Sequence, residues 1–490
     1  MDERSERDLG DARPGGSAPD GASAWFDELN RRVLAPDLNV RSGVYAAFDP
    51  SLKMEMSARG EYEYVGLGRG YDGPAQRLLE VSAFGGLGPT EDEVAKGLFP
   101  DAPEVTVHPI IGRYRSLYAG FVAEGDYRDQ GSSGGLGTWV LCELLEQRKI
   151  DGVLHIKPSA RQGILFEYQV SRTPEEVRAG SGSRYYPGQL TDVMAQATAE
   201  GGRYAVTAIP SVAYEIRLLQ KLVPEYEERF PFVVGLICGH QKTANYASQL
   251  AWRAGVAPKD LRAIDFRRKQ PGKSANDYAT EVIGLVDGEA TAVVADDLFG
   301  TDWGLGLFKA NFSDFTEDVF NETADVVLGD AWLPEYTADS LGTNVVVVRS
   351  QMVDELISAA LDAGRIQLVK LSESNLLKSQ AALVRQNVDE LAYRFEYLAS
   401  QGGYVPIPRR SSAARVTFER KRVQVARLKA STESHRAWQV AREANDLQAF
   451  DDVMSPLVTK YRRAQTFMRA VKAAKNPKLL WSKAMARLAR

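Results

Sequence analysis

Short apolar runs alternate with amphipathic segments through the middle of the chain. The run FVVGLIC at residues 232–238 is apolar throughout, which is typical of a strand buried on both faces. Residues 244–253 and 352–363 instead space their apolar positions three and four apart, as an amphipathic helix does. This alternation predicts an α/β fold with mixed α+β layers, in which helices flank a mostly parallel or mixed sheet.

The predicted elements cover most of the chain between residues 25 and 363. Strands are expected at 61–67, 152–156, 164–170, 204–209, 232–238, 261–266, 278–282, 291–295, 325–330 and 344–348, with an extended aromatic segment at 108–121. Helices are expected at 25–36, 136–147, 190–200, 213–222, 244–253 and 352–363, and further helix starts follow Thr90 and Thr173.

The two ends of the chain differ from this middle part. Residues 1–24 are charged and rich in Gly and Ala, lack the apolar core of a signal peptide, and are predicted to be a disordered tail. From residue 371 the pattern is helical only, with helices expected at 371–400, 412–445, 450–474 and 477–490. The predicted divisions are therefore the tail, an N-terminal segment at 25–125, an α/β domain at 126–370 and a helical extension at 371–490.

Composition excludes several classes of protein. The 490-residue chain is 44% apolar, which is enough for a large core, yet no apolar run reaches the roughly 20 residues of a membrane span. The two cysteines fit a reducing cytoplasm and argue against a disulfide framework. The four histidines are scattered, without the paired spacing of a zinc site. We therefore expect a cytoplasmic protein without a metal site.

Charge is distributed unevenly along the chain. Residues 405–490 carry 20 Lys and Arg against 6 Asp and Glu, a net charge of +14, so the remainder carries −19 of the total of −5. These basic helices are candidates to contact a protein partner or, peripherally, the inner face of the membrane; a solvated tail packed on the body is the alternative. Nucleic acid is not an expected partner, because the body is acidic and carries no DNA-reading motif.

The candidate chemistry centres on a loop rich in Gly and Ser that precedes the predicted helix at 136–147. Free N–H groups at a helix N-terminus and the helix dipole together attract phosphate. The residues that would cradle a phosphate or pyrophosphate are Ser132, Ser133, Gly134, Gly135 and Thr138. An ordinary turn with serine caps is the alternative, since no Lys follows the glycines as in a P-loop and the spacing is not GxGxxG.

Five segments, in order, extend this pattern. They are SSGGLGTWVLCELLEQRKIDGVLHIK at 132–157, GSRY at 182–185, AIPS at 208–211 with Arg217, GLICGHQKTANYASQL at 235–250 with FRRK at 266–269, and ADVVLGDAWLPEYTADSLGTNVVVVRS at 324–350. Together they resemble the coenzyme F420 hydrogenase/dehydrogenase beta-subunit family over roughly residues 30–370. Each segment alone is a weak signal, but five in the same order are specific.

The resemblance implies a flavoprotein. Members of that family are FAD-binding reductases that pass electrons between FAD, iron–sulfur clusters and a partner such as coenzyme F420, a tetrapyrrole or ferredoxin. Carried over to this chain, the resemblance implies an FAD site at residues 132–138, helped by Ser183, Arg184, Tyr185 and Pro210. Pro210 would lie at the carboxyl end of a strand, a common ligand position in open α/β sheets.

The chain departs from the family at the cluster ligands. The positions that the family's cysteines would occupy are Asn39, Ser42, Tyr45 and Asp49 in a ferredoxin-like run, the vicinity of Lys309 and Phe312 in a second group, and Ser211 after the strand-end proline. Only Cys238 stands in a matching place. Because thiolates are the ligands that such clusters require, no iron–sulfur cluster is expected.

Two residues are candidates for a catalytic role beside a flavin. His240 follows the strand at 232–238 and would place a proton donor at its end; a loop histidine is the alternative. Ser211 begins a helix, where an N-cap is the alternative role. Cys238 is expected to pack as a small apolar residue, and Asp330 to lie at the edge of the site. The basic residues at 267–269 either contact an anionic ligand or form a wet surface.

The sequence thus predicts an FAD-dependent oxidoreductase without iron–sulfur clusters, with NAD(P)H or reduced F420 as hydride donor. Its expected substrate is a small molecule, with cell-surface polysaccharide metabolism as the candidate setting. The alternative is a redox-dead binding or scaffold relative of the family. The glycine loop favours the enzyme, because a decayed protein would be expected to lose the loop as well as the cysteines.

Overall fold

The computed structural model describes residues 21–410 and 416–475. The strands are β1 (Lys53–Met56), β2 (Tyr62–Val65), β3 (Thr106–His108), β4 (Gly112–Tyr114), β5 (Ser116–Val122), β6 (Gly152–Pro158), β7 (Phe166–Ser171), β8 (Tyr204–Ala208), β9 (Phe232–Leu236), β10 (Leu261–Arg268), β11 (Ala279–Val286), β12 (Glu289–Ala295), β13 (Val326–Asp330), β14 (Asn344–Val348) and β15 (Ile366–Lys370).

The helices of the described residues follow the same numbering. They are α1 (Ala22–Leu29), α2 (Ala75–Val81), α3 (Glu91–Leu98), α4 (Tyr127–Gln130), α5 (Leu136–Glu146), α6 (Pro174–Arg178), α7 (Thr191–Glu200), α8 (Pro210–Leu222), α9 (Glu225–Arg229), α10 (Ala244–Arg253), α11 (Pro334–Thr337), α12 (Gln351–Asp362), α13 (Glu373–Ser379), α14 (Ala381–Val384), α15 (Leu391–Ser400), α16 (Phe418–Ala444) and α17 (Leu447–Lys475). Short 3₁₀ helices occur at Val44–Ala47, Pro258–Asp260 and Asn311–Asp314, and π-helical turns at Asn30–Leu34 and Arg385–Asp389.

An eight-stranded mixed sheet forms the centre of the fold, in the order β15-β5-β14-β13-β9-β8-β6-β7. Strands β6, β8, β9 and β13 run parallel to one another, while β14, β5 and β15 continue the sheet with antiparallel pairs and β7 closes the other edge. Helices α5 and α12 cover one face, and α2, α7 and α8 cover the other. The predicted mixed α/β architecture is confirmed.

One edge of this sheet gathers the carboxyl ends of its parallel strands. Strands β6, β8, β9 and β13 all end there. Strand β5 ends there too, because its antiparallel pairing with β14 sets Gly120 beside Asn344, the first residue of β14. Ligands of open α/β sheets commonly bind outside this edge. The glycine loop follows β5 and is therefore placed at the same edge.

A second layer lies beyond that edge. The antiparallel sheet β10-β11-β12 packs with α10 and with the hairpin formed by α16 and α17 in one apolar core. Trp438, Phe450 and Met454 of the hairpin are fully buried in this core. The predicted helices at 412–445 and 450–474 are thus confirmed where the structure describes them, and the one predicted at 477–490 lies outside the described residues.

The single long helix predicted at 371–400 is wrong. The chain forms α13, α14, a π-helical turn and α15 instead, and Gln380 leaves the helical region with φ −106° and ψ 19°. At that break the Gln380 side-chain amide and the Ser379 hydroxyl donate to the main-chain carbonyl of Asp330 at 2.7 and 3.3 Å. The bend therefore supplies hydrogen-bond donors to the main-chain carbonyl at the end of β13. No local sequence pattern reveals this long-range contact.

The sequence pattern also missed three short elements. Strand β15, strand β1 and helix α2 were not predicted. Of the predicted tail at 1–24, residues 1–20 lie outside the described residues, and α1 already begins at Ala22. No helix among the described residues combines the length and the apolar character needed to cross a membrane.

Candidate functional site

The glycine loop between α4 and α5 is fastened to the central sheet. The Val122 N–H donates to the Gly134 carbonyl at 2.9 Å, and the Ser133 hydroxyl donates to the Thr343 carbonyl at 3.0 Å. A Cβ added to Gly134 would lie 2.6 Å from the Gly120 carbonyl oxygen, and Gly135 has a left-handed φ of +82°. Gly134 therefore allows the loop to pack closely against β5, and Gly135 allows the left-handed turn into α5.

The start of α5 retains free hydrogen-bond donors. The Leu136 N–H donates to Asn344 Oδ1 at 3.2 Å. The N–H groups of Gly137 and Thr138 and the Thr138 hydroxyl have no partner within the described residues, and both residues are partly exposed. Unpaired N–H groups in the first turn, together with the helix dipole, favour an anion at this position.

Lys269 brings a cation to the same loop. It follows β10, and its Nζ donates to the carbonyl oxygens of Arg128 at 2.5 Å and Ser133 at 3.4 Å. Burial, with a smaller effect of the neighbouring Arg128, lowers the pKa of Lys269 to about 8. The ammonium form still predominates at pH 7. The sequence signals for this role are the FRRK segment at 266–269 and its run of basic residues, which left an anion contact and a wet surface as alternatives.

The segment at 183–185 contacts the glycine loop through one hydrogen bond. The Ser183 N–H donates to Ser132 Oγ at 2.6 Å. Arg184 turns back on its own loop, where it donates to the Ser181 carbonyl at 2.6 Å and lies 5.0 Å from the Phe166 ring centroid. Burial lowers the pKa of Arg184. The structure thus joins Ser132 to Ser183 directly, whereas the Arg184 guanidinium bonds to the carbonyls of Ser181 and Ser183.

Tyr185 opens an aromatic cluster next to the loop. Its ring centroid lies 4.5 Å from that of Trp303 and 5.3 Å from that of Phe266. Tyr246 stacks on Phe266 at 6.0 Å, and His240 lies 5.0 Å from Trp303. The contacts connect the predicted site residues Tyr185 and His240 through Trp303. Sequence reasoning missed Trp303 and Tyr246, because only long-range folding brings them to the site.

The buried Arg267 forms an ion pair beside this cluster with Asp330, whose side chain is 21% exposed. Two guanidinium nitrogens of Arg267 donate to the two carboxylate oxygens of Asp330 at 2.7 and 3.1 Å. Burial, the largest single effect, would lower the pKa of Arg267, but Asp330, Tyr185 and Tyr278 together outweigh it and raise the pKa. The guanidinium also lies 4.9 Å from the Tyr278 ring and 5.6 Å from the Trp332 ring. Asp330 therefore holds Arg267 in place, and its position at the edge of a ligand site stays a prediction.

The partly exposed His240 and the buried Lys242 are two bases in the segment that follows β9. His240 Nε2 is buried without a hydrogen-bond partner among the described residues. Burial, followed by the cations Lys242 and Lys309, holds the pKa of His240 well below its usual range. Burial likewise lowers the pKa of Lys242, which donates to the Leu307 carbonyl at 2.5 Å. His240 is consequently a neutral imidazole at pH 7, and as a proton donor it would act through its N–H.

Pro210 and Ser211 lie at the same sheet edge but make their contacts elsewhere. Ile209 is the N-cap of α8 and Pro210 is its first residue, so the N-cap role predicted for Ser211 is wrong. The Ser211 hydroxyl lies 3.2 Å from the Thr316 hydroxyl, and Ser211 is 6% exposed. Neither residue contacts the glycine loop or His240 through a hydrogen bond within the described residues.

The positions aligned with the family's cysteines carry other contacts. Lys309 pairs with Asp314, Phe312 packs in the core, and the Ser42 hydroxyl donates to the Glu215 carboxylate. Burial raises the pKa of Cys238 to about 11, so that side chain is a thiol at neutral pH. No group of three or more His, Cys, Asp or Glu suited to a metal ion occurs in the part of the chain that the structure describes. These residues do not fit an iron–sulfur cluster, which requires thiolates.

Two cavities lie away from the glycine loop. One, of about 170 Å³, is enclosed by the loop at 297–302 and by α17. The other, of about 470 Å³, is an open groove lined by His108 and residues of α13 and α14. None of the predicted site residues lines either cavity.

Two family models match this chain, and both describe the beta subunit of coenzyme F420 hydrogenase/dehydrogenase. The model of its N-terminal part matches residues 117–195, and the model of its C terminus matches residues 201–374. Together the two segments span more than half of the chain, and they contain the glycine loop, the segment at 183–185 and the aromatic cluster. The chain belongs to the coenzyme F420 hydrogenase/dehydrogenase beta-subunit family.

Among solved structures, the chain is similar to one from the xenon-derivatised F420-reducing nickel–iron hydrogenase complex of Methanosarcina barkeri. The two sequences are 17% identical, and the match covers 60% of this chain and 96% of that one, with a TM-score of 0.45. A comparison with curated proteins found no match.

Proposed function

We propose that this protein is an FAD-dependent oxidoreductase of the F420 hydrogenase/dehydrogenase beta-subunit type that works without iron–sulfur clusters. The observation that carries the proposal is the meeting of two features at one loop. The free N–H groups of Gly137 and Thr138 offer donors to an anion, and the Lys269 ammonium adds a positive charge beside them. Such a combination suits the pyrophosphate of a dinucleotide.

The residues around the loop fit the remaining parts of FAD. Thr138 and Lys269 would bind the pyrophosphate, and Ser132 would be positioned for it by its bond to Ser183. The rings of Tyr185 and Trp303 would flank the flavin and exclude water from it. A bound flavin would supply hydride transfer, and the protein would supply binding, orientation and a dry environment.

The electron donor and the substrate extend this proposal. We take NAD(P)H or reduced F420 as the hydride donor, and the family to which the chain belongs is named for the second. The substrate would be a small molecule, with cell-surface polysaccharide metabolism as its setting. The protein would act in the cytoplasm, with His240 and Ser211 as the candidate catalytic residues.

A redox-dead binding or scaffold protein is the second candidate, and one observation favours it. Part of the polar groups at the loop are already satisfied by the protein: Asn344 Oδ1 accepts from Leu136 N–H, and the Lys269 ammonium donates to the Ser133 carbonyl of the loop and the Arg128 carbonyl of α4. A protein of this kind would act through a partner, and the basic helices α16 and α17 would offer the surface for a protein or a membrane.

The visible absorption spectrum of the purified protein separates these two functions. The enzyme is expected to show flavin bands, to release FAD on denaturation, and to contain iron and acid-labile sulfide only at background level. Anaerobic addition of NADPH, NADH or reduced F420 should then bleach the flavin. A colourless protein that cannot be reconstituted with FAD would establish the scaffold function instead. A broad iron–sulfur absorbance with stoichiometric iron would refute the cluster-free part of the proposal.

A further inference from the structure

The hairpin of α16 and α17 has one face that packs against the rest of the protein and one face that is exposed to solvent. Its inward face is apolar, with Trp438, Phe450 and Tyr461 almost fully buried. Two ion pairs add to this attachment: Arg420 contacts Glu390 of the neighbouring turn, and Asp451 contacts Arg253 of α10. The attachment of the hairpin therefore needs none of the charges on its outer face.

The outer face combines basic and aromatic side chains. On α16, Phe418, Arg422 and Lys429 follow one another at intervals of four and seven residues, and on α17, Lys460, Arg463 and Phe467 do so at intervals of three and four. Both spacings place the side chains on one side of a helix. These six exposed residues are called the basic hairpin face. Phe418 is 66% exposed and Phe467 is 39% exposed.

Arg422 joins the two helices within this face. Its guanidinium carbon lies 5.8 Å from the Phe418 ring centroid and 5.1 Å from the Phe467 ring centroid. The face is thus continuous from one helix to the other. The same contacts place the guanidinium against both rings, so part of their surface is not open to a stacking base.

The charges of the basic hairpin face are not compensated within the described residues. Arg422, Lys429, Lys460 and Arg463 have no carboxylate partner there, and neither do the adjoining Arg462, Arg469 and Lys472. The sequence contains no Asp or Glu from residue 453 to residue 475. Two carboxylates of α16 near this face pair with other residues: Glu419 with Lys475 at 3.3 Å and Glu433 with Arg436 at 2.7 Å. Most of this positive charge faces solvent.

We propose that the basic hairpin face binds the surface of an anionic lipid bilayer. Clusters of four to eight Lys and Arg on an amphipathic helix are attracted to anionic headgroups, and exposed aromatic rings beside them enter the boundary between headgroups and acyl chains. The chain continues beyond Lys475 as NPKLLWSKAMARLAR, which again mixes basic with large apolar residues. Single-stranded nucleic acid is disfavoured, because it stacks its bases on aromatic faces and Arg422 already occupies that space.

Sedimentation of the full-length protein with lipid vesicles tests the proposal. Binding is expected to vesicles that contain about one third phosphatidylglycerol and not to vesicles of phosphatidylcholine alone, and it should weaken between about 0.1 and 0.5 M salt as screening increases. A protein that stays in solution with the anionic vesicles at low salt would overturn the proposal. Tight binding to a single-stranded oligonucleotide with none to vesicles would also overturn it.

Two variants locate the binding surface. The triple variant Arg422→Glu, Lys460→Glu and Arg463→Glu should reduce vesicle partitioning by about tenfold or more. The matched control reverses three exposed lysines elsewhere, Lys53, Lys149 and Lys259, with the same change in net charge, and should bind like the unmodified protein. Equal losses in both variants would show non-specific attraction and overturn the assignment. Unchanged melting temperatures confirm that both variants are folded.

The aromatic part of the face is tested separately. The double variant Phe418→Ser and Phe467→Ser keeps every charge, so its binding should be weaker at each salt concentration while the salt dependence is retained. If the variant partitions to vesicles as strongly as the unmodified protein, the proposal that the two rings enter the bilayer is wrong. The vesicle experiments need no flavin, so their outcome is independent of the redox function.

Discussion

The ammonium group of Lys269 donates a hydrogen bond to the main-chain carbonyl of Arg128 at 2.5 Å, and this bond connects the end of β10 with the glycine loop. The two residues are far apart in the sequence: Arg128 lies in α4, which follows β5 of the central sheet, and Lys269 follows β10 of the antiparallel sheet. The bond therefore places a cation from the second layer beside the start of α5, which belongs to the first. An anion bound at α5 would be held by both layers together.

Replacing Lys269 by Met should weaken FAD binding. The variant removes a charge-assisted hydrogen bond to the pyrophosphate, a contact worth about 1.5–3 kcal/mol, so the dissociation constant should rise by about tenfold or more. Fluorescence titration of the flavin-free protein with FAD measures the change. Lys273→Met is the matched control, because Lys273 lies four residues further on and contacts only Asp277 and Asp296 at the surface. Equal FAD affinities in the two variants would show that Lys269 does not contribute to FAD binding.

Replacing Asp330 by Asn should destabilise the fold. The variant leaves the buried Arg267 guanidinium without its counter-charge. Breaking a fully buried pair costs about 3–5 kcal/mol, and the 21% exposure of the Asp330 side chain reduces the expected loss to about 2–3 kcal/mol. Urea unfolding followed by circular dichroism measures the loss. Asp339→Asn is the control, because Asp339 is 49% exposed and its ion pair with Arg128 should contribute less than about 1 kcal/mol. Similar losses in both variants would contradict the assigned burial of the Arg267 pair.

The central sheet was predictable because its strands are buried on both faces. Strands β8, β9 and β14 carry nearly continuous apolar runs, and such runs identify a buried strand without any knowledge of its neighbours. Strand β15 was missed for the opposite reason. It lies at the edge of the sheet, its Val369 is 65% exposed, and its pattern of burial has no clear period.

The candidate site was predictable only in the parts that are local in sequence. The resemblance to the family located the glycine loop and the segment at 183–185, and the bond between Ser132 and Ser183 now joins them. Lys269 and Trp303 reach the loop and the aromatic cluster from the second layer. Their role depends on how that layer packs against the sheet edge, which neither periodicity nor spacing reveals.

Replacing Gly134 by Ala should disturb the start of α5. A Cβ at this position would lie 2.6 Å from the Gly120 carbonyl and 2.9 Å from the Asn344 backbone nitrogen, both of them rigid backbone atoms. The loop would have to move away from β5, and overpacking of this kind costs about 1–3 kcal/mol. Differential scanning calorimetry should show a lower melting temperature. Gly68→Ala serves as the control, since no atom lies within 4 Å of its added Cβ, and an equal loss there would contradict the close packing of Gly134.

Glu215 should make the stability of the fold depend on pH. Its carboxylate accepts from Ser42 and from the Ala83 N–H, but burial dominates and raises the pKa to about 7. Because the folded pKa lies above the unfolded value of 4.5, the folded protein binds the extra proton between these two values. This contribution to the free energy of unfolding is therefore complete below the unfolded pKa and is lost as pH rises through about 7.

The variant Glu215→Gln isolates that contribution. Glutamine can still accept from Ala83 N–H and hydrogen-bond with Ser42, but it does not titrate. The difference in free energy of unfolding between the unmodified protein and the variant should fall by up to about 1.4 kcal/mol per pH unit from pH 5 to 7 and level off above. Urea titrations at half-unit steps of pH measure it. A difference that is constant across this range would show that Glu215 has an ordinary pKa in the folded protein.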